Sequence, residues 1–67
     1  MYQLVKIWKN GAMKIDMFKD SEKNTAFDRF DGFLSMVEES NDVEFMFVYL
    51  VCVANGRSFV VDGRKLF

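Results

Sequence analysis

The chain has 67 residues and a formal net charge of −1, with one cysteine, no histidine and no proline. That length makes a single domain, which hides only about 60% of its unfolded surface on folding. Cys52 alone closes no internal disulfide and the common zinc ligand sets are excluded, so neither metal nor cofactor is expected; the 51% hydrophobic and 16% aromatic composition must then serve an unusually apolar core or association between chains.

The first ten residues, MYQLVKIWKN, alternate polar and apolar side chains and lack the continuous apolar stretch of a signal peptide. They read as a strand over about 2–9, followed by a second over 12–18. Asn10-Gly11 marks a hairpin between them. A two-residue turn would mix polar and apolar residues on both faces. A three-residue loop, Lys9-Asn10-Gly11 with Gly11 left-handed, sets Ile7 opposite Met13 and Val5 opposite Ile15. Register follows the hydrophobic pattern, so this loop is preferred. Val5, Ile7, Met13, Ile15 and Met17 then share one face. Tyr2, Leu4, Lys6, Trp8, Lys14, Asp16 and Phe18 share the other.

The middle of the chain predicts a helix over about 22–39. Ala26, Phe27, Phe30, Phe33, Leu34 and Val37 keep the three-and-four spacing of one apolar stripe. Asp28, Asp31, Ser35, Glu38 and Glu39 lie around the other side. Ser21 or Thr25 is the expected N-cap, Thr25 with Asp28 resembling a capping box, and Ser40-Asn41-Asp42 is the expected stop.

A third strand is expected over 43–54. From Phe45 onward both of its alternating sets are apolar: Phe45, Phe47, Tyr49, Val51 and Val53 against Met46, Val48, Leu50 and Cys52. Its ten-residue apolar run, FMFVYLVCVA, is about half of what a membrane-spanning helix needs. Asn55-Gly56 signals a second hairpin, with a fourth strand over 57–62 and a basic and apolar tail, Gly63 to Phe67. The expected architecture is α+β in ββαββ order, a four-stranded and mainly antiparallel sheet with one helix on one face.

A strand apolar on both sides expects cover on both sides, and one helix covers one face. The other face is expected to be open, and an open apolar face of that size marks an interface. The alternating pattern does not decide which face the helix takes; the open face is expected to be the one that carries Tyr2, Leu4 and Trp8 from the hairpin and half of the third strand.

Catalytic readings fail for want of parts. No histidine is present to act as a general base, and a thiol inside an apolar strand, as at Cys52, is inert. Glu38-Glu39 and the Asp28/Asp31 pair read as a solvated helix face. Gly63-Arg64-Lys65 lacks the order of a phosphate-binding loop. The charges are polarised, however. Residues 1–19 carry four lysines against one aspartate, residues 20–44 eight acids against two bases, and residues 45–67 three bases against one acid. The acidic helix face formed by Asp28, Asp31, Glu38 and Glu39 is expected to meet a basic partner surface, since such fields speed selective encounter. An alternative uses Tyr2, Lys6, Trp8 and Lys14 as an aromatic and basic platform for single-stranded nucleic acid. The domain lacks the basic excess that role demands.

A compact ββαββ chain with no histidine, no proline and no catalytic motif resembles the small accessory proteins of phages and mobile elements, many of which bind and inhibit a host protein. The resemblance is one of size and organisation and implies no residue roles. The sequence is therefore read as a non-enzymatic protein-interaction module. It is expected to be cytoplasmic, given its lone thiol, and homodimeric, with no membrane segment.

Overall fold

The computed structural model describes residues 1–40 and 45–65. Strands β1 (Tyr2–Trp8) and β2 (Met13–Phe18) precede a 3₁₀ turn (Asp20–Glu22) and helix α1 (Lys23–Ser40). Strands β3 (Phe45–Ala54) and β4 (Arg57–Lys65) follow. The four strands form one antiparallel sheet in the order β2-β1-β3-β4. The expected ββαββ architecture is therefore the observed one. Among the described residues no helix is long and apolar enough to cross a membrane.

Both hairpins follow from their turn residues. In the first, Ile7 pairs with Met13 and Val5 with Ile15, and Gly11 has φ +88°, which glycine adopts without steric cost. The Trp8 N–H donates to the Ala12 carbonyl (2.9 Å) and the Gly11 N–H to the Trp8 carbonyl (3.0 Å). The Asn10 side chain accepts from the Ala12 N–H (2.9 Å). The second is a two-residue turn with positive φ at both Asn55 (53°) and Gly56 (73°), as a twist-matched tight hairpin requires.

The start of the helix departs from expectation. Ser21 lies within the 3₁₀ turn and Thr25 within α1, so neither caps it. In the 3₁₀ turn that leads into the helix, Lys19 stands at the N-cap position and its N–H donates to the Glu22 carboxylate at 2.9 Å. The fourth strand also runs longer than expected, since Gly63, Arg64 and Lys65 belong to β4 rather than to a tail. A bulge makes this possible. Leu50 pairs with Asp62 and Val51 with Val60, leaving Val61 as the extra residue. Beyond it Gly63 passes beneath the Tyr49 ring. A Cβ there would come within 2.8 Å of Tyr49 Cδ1, so only glycine fits without moving the ring. Asn41 and Asp42 of the expected helix stop, Val43 and Glu44 of the third strand, and Leu66 and Phe67 lie outside the described residues.

Helix α1 packs over β1 and β3 and touches β2 less. The core beneath it comprises Leu4, Ala26, Phe30, Leu34, Val48 and Leu50, flanked by Tyr2, Phe18, Phe27 and Phe33. Tyr2 meets Phe27 edge to face at 6.1 Å. Each of the large apolar side chains buried here contributes about 1.5–3 kcal/mol. The covered face is therefore the Tyr2/Leu4 face. This corrects the expectation that Tyr2, Leu4 and Trp8 form the open one. The reason lies in the connection: only Lys19 separates β2 from the 3₁₀ turn, so the chain folds back over the side on which Phe18 stands.

Candidate interaction surface

With the helix on the Leu4 side, the opposite sheet face is bare of any described element. Strand pairing assembles it in rows. Ile7, Met13 and Phe47 form one, Val5, Ile15, Tyr49 and Gly63 the next, and Gln3, Met17, Val51 and Val60 a third. Met13, Ile15, Met17 and Val60 are all exposed, Met17 and Val60 to 65% and 64%. The middle strands are half-buried by their own neighbours. Phe47 and Tyr49 stack with nearly parallel rings 5.8 Å apart, and the Tyr49 ring fills the space above Gly63. Among the described residues, charge enters this face only at the register position of Lys65, the last of β4. These residues form one contiguous apolar surface rather than a set of scattered exposed positions.

The residues expected to form the open face are elsewhere. Leu4 is 2% exposed in the core, Tyr2 packs against that core, and Trp8, half-buried, follows them by strand alternation. Burial, and next the Cys52 thiol beside it, hold the Tyr2 hydroxyl above its ordinary pKa. The aromatic and basic set of the nucleic-acid alternative lies on the same helix side. Lys6 Nζ sits 3.1 Å from Asp16 and 4.6 Å from the centre of the Phe33 ring, under the edge of α1. Lys14 approaches the same carboxylate at 3.9 Å. Tyr2, Lys6, Trp8 and Lys14 therefore form no open stacking platform.

The acidic helix residues Asp28, Asp31, Glu38 and Glu39 are exposed on α1, and Asp28 borders the groove between the helix and β2. Between α1 and β2 runs a groove of about 590 Å³, with Leu4, Phe18, Phe33, Met36 and, at the β2 edge, Met17 as its apolar lining and Asp16, Asp28 and Arg29 among its polar residues. Its best-enclosed charge, Lys6, is neutralised within the fold by Asp16.

The residues that make the open face, above all Val5, Ile15, Met17, Tyr49 and Val60, were not singled out from sequence. The hairpin register put Val5, Ile7, Met13, Ile15 and Met17 together, but the open side was expected to be that of Tyr2, Leu4 and Trp8. The signal that would have found them is the one-residue link after Phe18. Comparison with protein-family models, curated proteins and solved structures returned no match.

Proposed function

We propose that this protein is a non-enzymatic protein-interaction module with two contact surfaces, the bare sheet face and the acidic helix face, one serving self-association and the other a partner. One observation carries the reading: a four-stranded sheet apolar on both sides, with its only described helix on one of them. The other chemistry present supports it. Cys52 is half-buried in the sheet, and Asp31, Glu38 and Glu39 lie on an exposed helix surface, with the exposed Asp28 at the rim of the α1–β2 groove. The acidic helix face supplies a second, electrostatic surface suited to a basic partner. A cytoplasmic protein of this form fits the binding and inhibitory roles of small phage and mobile-element proteins.

The test is capture by immobilised full-length chain, comparing wild type with Ile15→Lys on the sheet face and with Asp31→Lys on the helix. A protein partner should be retained by wild type and lost with Ile15→Lys, while circular dichroism stays unchanged. Identical retention by wild type and Ile15→Lys would remove the sheet face from the account. Loss of the partner with Asp31→Lys as well would assign the helix face to the same complex.

A further inference from the structure

We infer that the occupant of the bare sheet face is a second copy of this chain, packed face to face about a two-fold axis parallel to the strands. The inference rests on the proposed role of that face as a contact surface and names what covers it. Three observations support a copy of the chain over a foreign protein.

The first is charge. A two-fold interface sets each surface against itself, so it must be free of net repulsion. The sheet face meets that condition across its described rows. The helix face, with Asp28, Asp31, Glu38 and Glu39, does not, and in this dimer both helix faces point outward, as far apart as the assembly allows.

The second is area. Four strands about 4.8 Å apart, each presenting about seven residues, make a plane of roughly 450 Å² per copy. Two such planes give about 900 Å² before side-chain relief is counted, close to the roughly 1,000 Å² that a specific interface needs.

The third is relief, which also selects the arrangement. The β2 side of the face is high, with Met13, Ile15 and Met17 standing exposed. The β4 side dips at Gly63, which carries no side chain and lies under the Tyr49 ring, while Val60 further along stands exposed like Met17. An axis along the strands, midway between β1 and β3, seats β2 of each copy over the partner's β4. High then meets low twice. The row register then places Ile15 of one copy on the partner's Tyr49 ring and Met17, an adaptable side chain, on the partner's Val60. An axis across the strands would instead stack β2 on β2, high against high.

Light scattering of the full chain over a dilution series tests the dimer. The expected mass is twice the 7.9 kDa of the chain. Ile15→Lys and Val60→Lys, at opposite edges of the face, should each halve it by burying a charge in an apolar interface, weakening association about 100-fold or more. Val60 is exposed in the isolated chain, so Val60→Lys keeps the test alive if Ile15→Lys fails to fold. Wild type that is monomeric at every concentration overturns the inference. If that monomer binds an apolar dye through the face, the interaction-module reading survives; if it binds none, both fall.

Cross-linking tests the arrangement in a Cys52→Ser background. The pair Met17→Cys with Val60→Cys should join two copies through a short bismaleimide, and neither change alone should do so. In the proposed dimer the two copies of position 17 are about 17 Å apart. Efficient cross-linking by Met17→Cys alone, or none by the pair, would overturn the β2-over-β4 arrangement.

Discussion

The two faces of this sheet are cut from the same strands and meet different fates. On the helix side, Leu4, Val48 and Leu50 are closed beneath Phe30 and Leu34. On the other, Val5, Tyr49, Val51 and Met17 are as apolar or nearly so, and no described element covers them. The covered face is also the one that carries ions: Lys6 and Asp16 pair at the margin of α1, and Lys14 joins them. The bare face is uncharged over its described rows short of Lys65. Hydrophobicity alone thus does not say which side is the interior. A helix can tolerate a paired charge at its edge, whereas a self-associating surface gains from having none.

That comparison can be broken most decisively in the core. Phe30 is 1% exposed, and Phe30→Ala should cost about 3–5 kcal/mol, close to the whole stability of so small a domain. The variant should be largely unfolded by circular dichroism at 25 °C. A cooperative transition within about 1 kcal/mol of wild type would mean that the helix is not what closes the sheet.

Next in size is the ion pair at the margin. Asp16→Ala leaves the Lys6 ammonium, 15% exposed, without its carboxylate, and should cost about 1–2 kcal/mol in urea denaturation. Lys14→Ala removes the outer, exposed partner and should cost less than about 0.5 kcal/mol. Equal costs would show that Lys6 is no more enclosed than Lys14.

On the bare face, Gly63→Ala forces the Tyr49 ring to move and should destabilise by about 1 kcal/mol. The cost should shrink in a Tyr49→Ala background, since the two share one contact. A full cost in both backgrounds would place the strain in the β4 backbone instead.

The smallest effect is a pH dependence on the covered side. The Tyr2 hydroxyl is raised above its ordinary value near 10, by burial first and then by Cys52. A raised pKa in the folded state favours the protonated phenol, so its stability contribution is whole below the unfolded value of about 10 and is lost as pH rises through the folded one. Stability measured across that alkaline window should therefore fall more steeply for wild type than for Tyr2→Phe. Parallel curves would mean that the hydroxyl does not sense the fold.

Much of the architecture was legible in the sequence, and for identifiable reasons. Gly11 and Asn55-Gly56 admit few backbone solutions, so the turns and the register of the first hairpin followed directly. The Ala26-to-Val37 stripe left little choice about the helix. The side of the sheet it covers was misread because alternation fixes which residues share a face but is silent on which face is inside. The choice was made by the Phe18–Lys19 connection, a matter of chain geometry rather than hydrophobicity. The strand through Lys65 was missed for a related reason. Its bulge at Val61 and the Tyr49 ring over Gly63 are pairings with β3 that the local sequence, Gly63-Arg64-Lys65, does not display.

The most direct test of the bare face as the contact surface is methionine oxidation by peroxide, followed residue by residue across a dilution series. Met36, 55% exposed on the helix, is the internal reference. Met13 and Met17 should oxidise much more slowly than Met36 at high concentration and approach its rate on dilution or in Val60→Lys. If Met13 and Met17 instead oxidise as fast as Met36 at every concentration, the sheet face is not where copies of this protein meet.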